Sequence, residues 1–248
     1  RSDAEADAGA DARPDETADV HGAADGEHAP DARPDGSSNG RAHPRAVAEA
    51  DHFALSDAAA ESWGHSVSIS SDGNIVAIGA TDAPYYSGRT GRTAIYSWDG
   101  SSWNQLGSNI NGEASGDDSG WAVSLSSDGT TVAIGATDNN ENGLNAGHTR
   151  IYRWNGSSWT KLGNDIDGDA AWDRSGYSVS LSSNGTILAI GAIGKDANKG
   201  TVRVYQYVNN TWTKLGQDID GEASGDQSGY SVSLSNDGTI VAIGAHLN

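Results

Sequence analysis

The chain has 248 residues, no cysteine, no methionine and a formal net charge of −19. Without cysteine there is neither a disulfide framework nor a thiolate metal site, and so few Lys and Arg against so many acids exclude a phosphate-backbone partner, so no nucleic acid is expected. No apolar run approaches the roughly 18 residues that a spanning helix needs, so no membrane span is expected.

The first residue is Arg, so a processed product or a fragment is expected, and a tether through missing N-terminal sequence stays open. Residues 1–50 are rich in Ala, Asp, Gly, Arg and Pro, carry the five-residue run DARPD twice and have no aromatic side chain. Such a stretch buries too little apolar surface to offset its ordering entropy, which predicts a disordered tail or spacer. Its His21, His28 and His43 stand too far apart to suggest a metal site. In composition the tail resembles the Asp/Ala-rich stalks that tether some bacterial surface lipoproteins.

From residue 51 to 248 the chain is periodic. The run AIGA begins at Ala77, Ala133, Ala189 and Ala242, with spacings of 56, 56 and 53 residues, and a second landmark starts in step at Ile95, Ile151 and Val204. A period of about 50 residues predicts a solenoid, an array or a propeller.

Each unit decodes into four strands. In the second copy, Val123 and Leu125 alternate with Ser124 and Ser126, which predicts a strand A with one apolar face. Asp128-Gly129 predicts a tight hairpin turn, and the apolar run TTVAIGA a strand B buried on both sides. A variable loop leads to strand C at TRIYRW, Asn155-Gly156 turns the chain, and SSWTKLG returns as strand D. A polar linker then enters the next unit. The fold expected is all-β: β-propeller-type four-stranded antiparallel blades, three complete plus a partial one, preceded by the disordered N-terminal tail. The blades fall near 64–118, 120–174, 176–227 and, in part, 229–248. Trp103, Trp159 and Trp212, once per repeat, are expected to fill space between blades. The half-blade predicts a longer repeat array, or self-association through open blade edges.

Gly229-Tyr230-Ser231-Val232 and Ile243-Gly244-Ala245, repeated in all four copies, resemble the opening and closing landmarks of the FG-GAP repeat of integrin-α-like propellers. The resemblance covers roughly 61–248 and implies a propeller that binds ligands outside the cell. It also implies a calcium loop between the landmarks, but here that loop has shrunk to Ser-Asp-Gly, too short to cage an ion. Thr81, Thr137, Ile193 and His246 stand where the family has Pro.

In an A-B-C-D antiparallel blade the A–B and C–D turns share one end, and the B–C and D–A loops the other. The second end carries everything long, variable or acidic, so binding is expected there. Tyr85, Tyr86, Arg89, Asn140, Glu141 and Lys195 of the B–C loops are the candidate ligand contacts. The D–A linkers offer carboxylates spaced around a Gly: Asp165, Asp167, Asp169 and Asp173, then Asp218, Asp220, Glu222 and Asp226. Such oxygen-rich sets suit Ca²⁺, against the alternative of Asx-turn capping on an acidic surface.

Catalysis finds little support. The serines recur as strand alternation, and His65, His148 and His246 occupy unrelated positions in single units. The sequons at Asn155, Asn184 and Asn209 overlap turns that backbone geometry already explains, at least at the first two. The function expected is a non-enzymatic extracellular or cell-surface binding and adhesion module, with protein or glycan as partner on the B–C/D–A face. The alternatives are a purely structural repeat array and, less favoured, a hydrolase on a propeller scaffold.

Overall fold

The computed structural model describes residues 61–82 and 90–248. The expected tail at 1–50, and Tyr85, Tyr86 and Arg89 of the first B–C loop, lie outside them. Blade 1 comprises β1 (Glu61–Ile69), β2 (Ile75–Asp82), β3 (Arg92–Trp98) and a split outer strand, β4 (Trp103–Gln105) with β5 (Ile110–Asn111). Blade 2 repeats this with β6 (Ser119–Leu125), β7 (Thr131–Ala136), β8 (His148–Trp154), β9 (Trp159–Lys161) and β10 (Ile166–Asp167). In blade 3, β11 (Ser175–Leu181), β12 (Ile187–Ala192), the short turn α1 (Lys195–Asn198) and β13 (Thr201–Val208) lead to an unbroken β14 (Thr211–Asp220). Strands β15 (Ser228–Leu234) and β16 (Val241–Ala245) are A and B of a fourth blade.

Within each blade the strands pair antiparallel in chain order, A to B to C to D, which is the blade of a β-propeller. Strand D runs further than its sequence suggests. After a glycine with positive φ (Gly107 and Gly163), Ile110 and Ile166 resume pairing with strand C opposite Thr93 and Thr149 and are buried. Residues expected in the linker therefore belong to the sheet, Asp167 and Asp220 among them.

The A–B turns also differ in detail from a two-residue hairpin. Only the glycine has positive φ, +68° at Gly129, and the Asp side chain closes the loop. Ser126 Oγ donates to Asp128 Oδ1 (2.6 Å) and accepts from the Thr131 N–H (2.9 Å), while the Thr130 N–H donates to the same carboxylate oxygen. Asn184 does the same work in blade 3. The C–D turn of blade 3 alone has two consecutive non-glycine residues at positive φ, Asn209 (+52°) and Asn210 (+63°), the signature of a type I′ turn.

The apolar core lies between blades. Ala77 and Ile95 of blade 1 pack with Val123, Leu125, Val132 and Ile134 of blade 2, and an equivalent cluster joins blades 2 and 3. Val67 and Ile69 of blade 1, with no blade before them among the described residues, are exposed where their counterparts Val123 and Leu125 are buried. The expected role of the tryptophans is met at two of them: Trp159 and Trp212 enter these clusters and donate from Nε1 to Leu106 O and Leu162 O of the preceding blade, both at 2.8 Å.

The serine face of strand A, read from the sequence as simple alternation, is a seam. Ser68, Ser124 and Ser180 each accept, on Oγ, the backbone N–H of the next blade's Leu125, Leu181 or Leu234 at 2.9–3.0 Å. Ser66 and Ser178 donate to Gly120 O and Gly229 O at 2.7 Å. Here the blades touch backbone to backbone: a Cβ on Gly79, Gly135 or Gly191 would stand 2.0–2.1 Å from the carbonyl oxygen of Gly120, Gly176 or Gly229.

Gly135→Ala is expected to cost about 3 kcal/mol, since a methyl has nowhere to go. Gly156→Ala, at positive φ but with open space around it, is expected to cost about 1 kcal/mol; urea unfolding of both variants compares them. A second outcome concerns acid. Hydrogen bonds from Ser235 and Thr239 hold the Asp237 carboxyl down at about 2, against an ordinary 3.8. At Asp128 burial pushes upward, but the bonds from Ser126 and Thr130 outweigh it and the carboxyl is also held low. Because these folded-state values are depressed, their contribution is complete above the ordinary carboxylate range and is lost as pH falls through it toward 2. Stability measured between pH 5 and pH 2 should fall less steeply in Asp128→Asn, which keeps the bonds Asn184 makes.

Candidate functional site

The two ends of the blades are built differently. At the A–B end every copy makes the same self-satisfied turn. At the B–C/D–A end the copies diverge, and blade 2 diverges most.

The D–A linker is closed in each copy by an aspartate at the same place in the repeat. Asp117, Asp173 and Asp226 are buried and accept backbone N–H bonds from Ala114, from Asp169 and Ala170, and from Glu222 and Ala223, at 2.7–3.2 Å. Asp173 and Asp226 are thus turn caps, the alternative to calcium that the sequence left open. Glu222 is exposed on the same turn.

Blade 3 shows what the strand-D aspartates do when their charges are balanced. Asp218 accepts from Lys195 (2.6 Å), Lys214 (2.7 Å) and Arg203 Nε (3.0 Å), and Lys195 also reaches Asp220 at 3.4 Å. Partial burial works against the charged form of Asp218, but these bonds hold its carboxyl far below the ordinary range. Arg203 also donates to Asp169 of the linker that enters the blade. Three carboxylates meet three cations. Lys195, expected to contact a ligand, is mostly covered and committed to this network.

Blade 2 keeps the frame and changes the filling. Arg150 stands where blade 3 has Arg203, and pairs with Glu113 of the entering linker at 3.1 Å. Lys161 pairs with Asp165 at 2.8 Å, as Lys214 does with Asp218. The loop that supplies Lys195 in blade 3 supplies Glu141 here, and Thr201 is replaced by His148. Ligand-type atoms of Glu113, Glu141, His148 and Asp165 all lie within 4.8 Å of one another. His148 is 0% exposed, and neither of its ring nitrogens makes a hydrogen bond. Asp167 Oδ1 is 3.9 Å from its Nδ1, too long for one.

Burial and the neighbouring charges both shift these groups. What burial Glu141 has raises its carboxyl, and so do the facing charges of Asp167, Glu113 and Asp165. Burial first, and then Arg150, lowers His148, which favours its neutral imidazole. Of the eight carboxylates the sequence offered for a metal, Asp165 joins this cluster and Asp167 borders it. The turn at Gly168 sends Asp169 and Asp173 on toward blade 3, which is why a spacing of 1, 3 and 5 does not bring them together. Glu113, Glu141 and His148 lie on three separate segments, which hides their grouping from the sequence; Glu141 and His148 depart from the repeat, whereas Glu113 has its counterpart in Glu222.

The B–C loop of blade 2 is braced from within. Asn140, another expected ligand contact, accepts the Asn145 N–H at 2.8 Å, and Asn142 Nδ2 donates to Gly168 O at 2.7 Å. This loop hydrogen-bonds to the next linker through the Trp172 N–H and Leu144 O at 2.8 Å. Trp172 is 53% and Leu144 54% exposed. Trp172 has φ +71°, and the same place in the other two linkers is held by Gly116 (+83°) and Gly225 (+97°).

One further feature runs across blades. A bulge near the start of each strand A, between Ser119 and Ala122 in blade 2, turns one side chain out of the sheet. The residues so placed form a row: His65, Trp121, Tyr177 and Tyr230 have ring centroids 4.5, 5.4 and 5.2 Å apart, and His246 stacks on Tyr230 at 4.5 Å.

No protein-family model matches the chain, the FG-GAP repeat included, and no curated protein matches it. Among solved structures it is distantly similar to hydrazine synthase of Kuenenia stuttgartiensis, at TM-score 0.48 and 11% identity over 72% of this chain and 40% of that one. TolB from Acinetobacter baumannii gives TM-score 0.42 and 13% identity over 72% and 36%. A putative 6-phosphogluconolactonase from Bacteroides uniformis gives 0.47 and 15% over 75% and 65%. The chain thus spans between about a third and two thirds of the length of these proteins, 36–65%. Its standing as a β-propeller rests on its own four-stranded blades.

Proposed function

We propose that this chain is a non-catalytic binding module of the extracellular or cell-surface kind, and that it docks a protein partner on the B–C/D–A rim of blade 2. The observation that carries this reading is Trp172. A large side chain at positive φ carries about 1–3 kcal/mol of backbone strain, at a place where two other repeats use glycine and the fold is intact. Its ring is not repaid by burial, being half exposed. A contact with another molecule accounts for both facts, and Trp is among the residues most enriched as interface anchors. The net charge of −19 favours a partner with a basic surface. The resemblance of the Gly-Tyr-Ser-Val and Ile-Gly-Ala landmarks to the FG-GAP repeat is in keeping with a role in adhesion.

A second reading, a glycan, is favoured by the row from His65 to His246, whose partly exposed rings form a continuous aromatic strip.

The discriminating variant is Trp172→Gly, which restores the repeat residue. Its thermal stability should equal or exceed that of the parent, since glycine adopts this φ freely. Affinity for a partner found in a panel of basic extracellular proteins should fall at least tenfold. Full-strength binding by the variant would overturn the reading. Glycan-array binding lost in Tyr177→Ala, and kept in Trp172→Gly, would establish the second reading in its place.

A further inference from the structure

We propose that Glu113, Glu141, His148 and Asp165 form a binding site for a divalent cation of the zinc class, bridging the linker into blade 2, its B–C loop and its strands C and D. The site does not depend on the docking reading above, since none of its residues is Trp172 or Leu144.

Three observations converge. The first is the internal comparison. In blade 3 the carboxylates of Asp169, Asp218 and Asp220 are matched by Lys195, Arg203 and Lys214. In blade 2 the carboxylates of Glu113, Asp165 and Asp167 are joined by Glu141, and among the described residues only Arg150 and Lys161 pair with them. Four negative charges against two positive leave an excess of two, the charge of one divalent ion. The ion takes over the task that the Lys195 ammonium performs in the neighbouring blade. The described residues of blade 1 lack the excess, with Asn109 and Asn111 in place of the two aspartates and Arg92 in place of His148.

The second observation is His148. A fully buried imidazole with both nitrogens unbonded is costly. A cation in the cluster supplies the missing partner, because a neutral ring nitrogen is a metal donor. The third is the donor set. One imidazole and three carboxylates suit zinc, which takes His nitrogen and Asp or Glu oxygen in fourfold coordination, better than calcium, which takes oxygens alone. The donors now lie within 4.8 Å of each other, and around a tetrahedral ion they would stand about 3.4 Å apart. Glu113 and Glu141 are exposed and long enough to close that difference. Arg150 and Lys161 hold Glu113 and Asp165 from the outside, as partners that orient metal ligands do.

The test is calorimetric titration of the full chain with Zn²⁺ alone. Wild type should bind one ion more than Glu141→Lys, a variant that imports the blade-3 solution. Zinc held by the tail histidines would appear equally in both and cancel. Glu141→Gln and His148→Ala should each weaken the site at least tenfold. Zinc should raise the melting temperature of wild type, and Glu141→Lys should melt higher than wild type without metal. Glu141 is exposed, so its two variants keep the test sharp even if His148→Ala fails to fold. Equal stoichiometry in wild type and Glu141→Lys, or affinities within twofold across the variants, would overturn the proposal. Tighter binding of Ca²⁺ than of Zn²⁺ would overturn the assignment to the zinc class.

Discussion

Successive blades meet where the glycine of AIGA on strand B lies against the glycine that opens the next strand A, with no room for a side chain between them. This contact sets the distance between blades, and the rest of the interface depends on that distance. At this spacing the serine hydroxyls of one strand A reach the backbone of the next, and each strand-D tryptophan reaches a carbonyl of the blade before it. The aromatic rings beside the opening glycines then fall about 5 Å apart without further arrangement. One wider residue on strand B would separate all of these pairs together. Packing densities in protein interiors leave little slack for such a shift.

A scaffold repeated this closely makes each blade a reference for the others. Positions that are the same in every copy answer to the fold; a position that departs in one copy, on the variable end, needs another reason. Blade 2 gathers such departures: His148 for Thr201 and Arg92, Glu141 in the loop that elsewhere carries Lys195, and Trp172 for two glycines. Each weakens the blade taken alone, through an unbonded buried ring, an unbalanced charge or a strained backbone. Their concentration on one rim is the physical ground on which the proposed site rests.

Much of the architecture was legible in the chain. Period-two alternation, Asx-Gly turns and a period of 53–56 residues were enough to order four strands per blade and to place the variable loops at one end. The continuation of strand D through Ile110 and Ile166 was not legible. The glycines at 107 and 163 read as a strand end, whereas the chain passes through them by a bulge and resumes pairing. The grouping of the linker carboxylates was not legible for the same reason: their spacing in sequence says nothing of where a glycine turn sends the next residue.

The amino-acid sequence by itself determined the repeat, the fold class and the end that carries the variable loops, because each depends on local periodicity that survives in one dimension. Only the tertiary structure decided which side chains act together. The cluster of Glu113, Glu141, His148 and Asp165 is drawn from a linker, a loop and two strands, and the charge balance of blade 3 appears only once Lys195 is seen among its aspartates. Electrostatic pairing and metal-type geometry depend on distances of a few ångströms, which blade packing sets and sequence separation does not.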